Sequence, residues 1–75
     1  MTIERMEEIF WEVGEENGQN TWYKIFDSGL FEIVCERIAH EMGIDSKGNH
    51  WSWFEVVDEV NDEFSEWACE MGENL

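Results

Sequence analysis

The chain has 75 residues, with 19 Asp and Glu against four basic residues, Arg5, Lys24, Arg37 and Lys47, for a formal net charge of −15. That length holds one domain, residues 1–75, and one core; five Trp and five Phe supply enough apolar area to fill it and exclude a disordered acidic tail. Such a charge exceeds the ~2–8 units that solubility needs and repels nucleic acid and anionic membranes as direct partners.

No run of apolar residues approaches the ~20 that span a bilayer, and the acidic N-terminus lacks an apolar signal core, so a cytosolic protein is expected. Cys35 and Cys69 are too few for a disulfide framework.

With no proline in the chain, nothing forbids long helices. Thr2 is an N-cap candidate for a helix over residues 2–13, where Ile3, Met6, Ile9, Phe10 and Val13 recur at spacings of three and four. Glu4, Glu7, Glu8 and Glu12 occupy its other side, and Trp11 projects toward them. Residues 14–20, with Gly14 and Gly18, read as a loop. Residues 21–26 combine strand-like composition with a cap candidate in Asn20; with no second strand to pair with, a helical turn is preferred.

Ser28 is the candidate cap of the next helix, which runs to about Met42 with Leu30, Phe31, Val34, Ile38 and Met42 on one broad face and Cys35 within it. Gly43 is the expected stop, followed by a polar loop over residues 44–50. Ser52 and Glu55 then form a capping box opening a last helix to about Gly72. Trp53, Val56, Val57, Val60, Phe64, Trp67, Ala68 and Met71 would lie within an arc of about 120° on it. The expected fold class is therefore all-α, a small bundle of three main helices with one short extra helical turn or strand.

On the last helix Glu55, Asp58, Glu59, Asp62, Glu63, Glu66, Glu70 and Glu73 oppose the apolar stripe, and no Lys or Arg follows Lys47. From Glu55 to Glu73 this acidic line covers about 27 Å, one carboxylate per ~3.5–4 Å; a single DNA strand carries one phosphate per ~3.4 Å. Many neighbours four apart are like-charged, which weakens a helix by ~0.2–0.5 kcal/mol per pair, so a surface built for stability alone would alternate signs. The first helix repeats the pattern around one cation, Arg5. Trp11, Trp51 and Phe54 lie off the apolar stripes or at their edge, where exposed aromatics would resemble interface anchors. The plainer reading is a solvated acidic coat, with an element such as residues 22–26 covering the aromatics.

Other chemistry is weak. Cys35, His40, His50 and Cys69 match no zinc spacing. Asp45-Ser46-Lys47-Gly48-Asn49 resembles a calcium loop superficially, but Val56 stands where its bidentate Glu belongs. No phosphate loop, nucleophile elbow or dinucleotide fingerprint is present, so neither an enzyme nor a cofactor is expected.

In size, acidity and aromatic content the whole chain resembles small phage-encoded anti-defence proteins, the anti-CRISPR and anti-restriction inhibitors that imitate nucleic acid. The resemblance implies a cytoplasmic protein of an infected bacterial host. It would occupy the basic nucleic-acid channel of a partner such as a CRISPR effector or restriction enzyme, carboxylates standing in for phosphates. The residues expected to carry that contact are Glu55, Asp58, Glu59, Asp62, Glu63, Glu66 and Glu70, with Glu8, Glu12 and Trp11 from the first helix. A helical adaptor docking through Trp11, Trp51 and Phe54 is the competing expectation, as a monomer or a homodimer.

Overall fold

A computed structural model describes residues 1–44 and 52–73. Thr2 is extended, and its Oγ1 accepts the Arg5 N–H at 3.2 Å, opening α1 (Ile3–Glu16). Met6, Ile9, Phe10 and Val13 are buried along α1, whereas Ile3 at its first turn is exposed.

Gly14 does not end this helix. The stop is Gly18, at φ +73°. There the Gly18 N–H donates to the Glu15 carbonyl at 3.1 Å and the Gln19 N–H to the Gly14 carbonyl at 2.7 Å. This pair of bonds satisfies two of the last carbonyls, those of Gly14 and Glu15, and turns the chain. Gly14 is instead buried under α2 (Trp22–Asp27), where a Cβ would collide with Ile25 Cδ1 and stand 2.8 Å from the Gln19 carbonyl oxygen.

The 21–26 segment is a helical turn, as preferred, running over Trp22–Asp27, but extended Thr21 rather than Asn20 is the cap, its Oγ1 accepting the Lys24 N–H at 3.4 Å. Ser28 likewise does not cap the next helix. Its hydroxyl donates back to the Lys24 carbonyl at 2.5 Å and so closes α2, while α3 (Leu30–Glu41) starts from Gly29 with no side-chain cap. Gly43, at φ +74°, ends α3 as expected. Its N–H donates to His40 at 3.1 Å and that of Ile44 to Ala39 at 2.9 Å, which brings Ile44 onto the core.

The largest departure concerns the C-terminal part. The expected single helix over residues 52–72 is two, α4 (Trp53–Val60) and α5 (Asp62–Glu73), so the described fold has five helices rather than three and a turn. Asn61 sits between them in an extended conformation, φ −125° and ψ 110°. Its N–H still completes α4 by donating to Val57 at 2.9 Å, while its Oδ1 accepts the Glu63 N–H at 2.9 Å. An Asn side chain offers the backbone an alternative to continuing the helix. Aromatic packing favours taking it: the Phe54 and Phe64 rings meet at 5.2 Å, although ten residues of unbroken helix would hold them about 15 Å apart along the axis. The turn leaves Val60 50% exposed, outside the stripe it was assigned to.

Helix α3 packs against α1, α2 and α4, with Leu30, Val34, Cys35, Ile38 and Ala39 buried. At the N-terminus of α4, Ser52 Oγ accepts the Glu55 N–H at 3.2 Å, and the Glu32 carboxylate of α3 accepts the Trp53 N–H. A carboxylate there meets the positive end of the helix. The centre of the core is aromatic: Phe26 stacks on Phe31 at 4.4 Å, and Trp67 contacts Phe10, Phe31 and Phe64. Trp67 is 2% exposed, and its Nε1–H finds no hydrogen-bond acceptor among the described residues. No helix among the described residues is long and apolar enough to cross a membrane.

Candidate partner-binding surface

The carboxylates divide into two populations according to where the cations fall. Arg5 on α1 donates to Glu8 at 3.0 Å and Glu12 at 3.4 Å, and crosses to Glu41 on α3 at 2.8 Å. Arg37 on α3 makes a two-pronged pair with Glu16 on α1, both bonds 2.5 Å long. These side chains clamp the α1–α3 seam. Hydrogen bonding to Arg37 holds Glu16 below its ordinary value of 4.5, and bonding to Glu41 and then Glu8 raises Arg5 further. Glu8 and Glu12, expected to face a partner, are thus engaged within the protein. The spacing of Arg5 to Glu8 and Glu12, three and seven residues along one helix, could have shown this from the sequence. The reach of Arg37 to Glu16 left no such local trace.

Helices α4 and α5 carry the second population. Glu55, Asp58, Glu59, Asp62, Glu63, Glu66, Glu70 and Glu73 are all exposed, and neither helix contains a Lys or Arg. Among the described residues Asp58, Asp62 and Glu66 take part in no ion pair. The break at Asn61 changes the geometry from the line expected. Two rows of about 6 Å, from Glu55 to Glu59, and about 17 Å, from Asp62 to Glu73, replace one of about 27 Å. Asp58 and Glu59 cease to be helical neighbours of Asp62 and Glu63, which relieves two like-charge pairs. Asp62 and Glu63 gain the favourable first turn of α5.

The aromatic anchors fare differently. Trp11 is half-buried and rests on Phe10 at 5.2 Å and Trp22 at 5.8 Å, so the short α2 covers it as the plainer reading held. Phe54 is packed between Phe31 and Phe64. Trp51 lies outside the described residues, as do His50 and the 45–49 segment weighed for calcium. Trp11 also forms one wall of an open pocket of about 390 Å³, with Glu15, Gly18, Gln19 and Asn20. The sequence reading missed this feature because it exists only once Gly18 turns the chain.

Cys35 is buried and Cys69 exposed, both as free thiols. Among the described residues no three His, Cys, Asp or Glu side chains converge as a metal ion would require. No family model, curated protein or solved structure matches the chain.

Proposed function

We propose that this protein binds a basic, nucleic-acid-binding protein and blocks it by presenting carboxylates where phosphates would sit. The observation carrying this reading is the segregation of charge. Both described arginines are spent on the α1–α3 seam, while eight exposed carboxylates on α4 and α5 have no basic residue in their own helices. A coat needed only for solubility would not set Asp58, Asp62 and Glu66, which make no ion pair among the described residues, on two adjoining helices without a cation of their own.

The partner class in best accord with this surface is a bacterial defence effector such as a CRISPR nuclease or a restriction enzyme, whose channel is lined with Lys and Arg to hold nucleic acid. Two of the three aromatics on which the adaptor reading depends, Trp11 and Phe54, are half-buried and packed against the core rather than protruding.

The test is competition. A basic effector captured by the protein at low salt should be released by DNA or RNA and by added salt. Reversing Asp58, Asp62 and Glu66 together to Lys should weaken capture by on the order of 100-fold, from about 1 kcal/mol per reversed charge. Undiminished binding by the triple variant, or capture insensitive to competing nucleic acid, would overturn the proposal.

A further inference from the structure

The carbonyl end of α1 has no basic residue in its last turn, so its partial negative charge meets no cation from its own sequence. Glu15 and Glu16 add two carboxylates at that same end. Arg37 answers Glu16, but Glu15 belongs to none of the ion pairs among the described residues. Beside Glu15 lies the open pocket of about 390 Å³ between Trp11 and the Gly18–Asn20 turn. Phe10 meets Trp11 edge-on and Trp22 leans against it, which braces the indole in the folded protein.

An aromatic wall, a carboxylate, two side-chain amides and a negative helix end together suit one kind of group. A guanidinium can stack flat on an indole while its fork of N–H donors reaches carboxylate and amide oxygens. A lysine ammonium gains the charge attraction without the planar stacking, and an anion is repelled by Glu15 and the end of α1. The adjoining pocket, about 240 Å³ and sharing Gln19, has Lys24 in its own lining, and that charge disfavours a second cation there.

We infer that the pocket between Trp11 and Glu15 binds a single arginine side chain presented by a protein partner. It is a discrete anchor, separate from the spread acidic rows of α4 and α5. It fits the basic partner proposed above without depending on it.

The test is an NMR titration of the whole protein with Nα-acetyl-arginine amide and its lysine counterpart at fixed ionic strength. The arginine compound should give saturable shifts at the Trp11 indole N–H and the Gln19 and Asn20 amides. It should bind two- to fivefold more tightly than the lysine compound, about the factor that one exposed cation–π contact contributes. Glu15→Gln, at an exposed position, should weaken it by on the order of the same factor. Trp11→Leu should abolish the preference for arginine. Equal binding of the lysine compound, or shifts at Asp58 and Glu66 that track those at Trp11, would reduce the effect to general charge attraction and overturn the inference. Reversing Asp58, Asp62 and Glu66 should leave the saturable Trp11 shift in place while weakening effector capture by on the order of 100-fold, so either proposal can fail alone.

Discussion

Replacing Gly14 by Ala sets two effects of opposite sign against each other. Inside a helix the change gains about 1 kcal/mol of intrinsic propensity. At this position, however, the new Cβ would run into Ile25 Cδ1 and lie 2.8 Å from the Gln19 carbonyl oxygen. Overpacking of this kind costs about 1–3 kcal/mol. If the turn shifts to make room, the 2.7 Å bond from the Gln19 N–H to the Gly14 carbonyl is strained as well, a further loss of about 1 kcal/mol. The clash should win by about 1–2 kcal/mol, a fall in Tm of roughly 6–13 °C for a domain this small. Urea denaturation followed by far-UV circular dichroism measures it. Gly72 in α5 is the internal control: a Cβ there meets nothing within 4 Å. Gly72→Ala should therefore stabilise, by less than about 1 kcal/mol so near a helix end. In an Ile25→Ala background the Gly14→Ala penalty should shrink, exposing the coupling between the two sites. A Gly14→Ala protein as stable as the parent, or more so, would refute the seating of α2 on Gly14.

Three further outcomes follow from particular contacts. Asn61→Ala removes the acceptor for the Glu63 N–H and should cost about 1 kcal/mol of unfolding free energy, most of it recovered by Asn61→Ser, whose hydroxyl can also cap α5. Burial raises the Cys35 thiol above its ordinary value of 9.0, so in the native protein a colourimetric thiol reagent should titrate Cys69 alone, with Cys35 reacting only on unfolding. Arg37 lowers Glu16 from 4.5, so that pair contributes stability above this value and loses it as the pH falls through the lower folded-state value. Glu16→Gln should accordingly show a smaller acid-side loss in a pH series of denaturation curves; an unchanged slope would mean the pair does not persist in solution.

What the sequence made legible was local. Thr2 and Ser52 cap the helices expected of them because a hydroxyl and the amide three residues on lie within one turn. The spacing of Met6, Ile9, Phe10 and Val13 marks a buried face without reference to the rest of the chain. Gly43 stops α3 because only glycine readily takes the left-handed turn there. Gly14 was misread because its reason for being glycine is Ile25, eleven residues away on another helix. Asn61 was missed because helical periodicity continues through it, and the advantage of breaking there comes from Phe54 meeting Phe64. The same division holds for the candidate surface. That the acidic residues of α4 and α5 would face solvent followed from the pattern, but which carboxylates Arg5 and Arg37 would claim depended on how α1 and α3 pack.

The order in which the helices pack bears on how quickly the protein reaches its working form. Helices α1 to α5 each rest on the next in sequence, and among the pairs that skip a neighbour α1 packs extensively on α3 and slightly on α5. Chains dominated by such local contacts fold in microseconds to milliseconds. With no proline in the sequence, no peptide isomerisation on the scale of tens of seconds delays any fraction of the molecules. Closing α1 onto α5 is the step with the longest loop, and it brings Phe10 onto Trp67. Newly made chains would therefore spend little time with that aromatic centre open to other proteins.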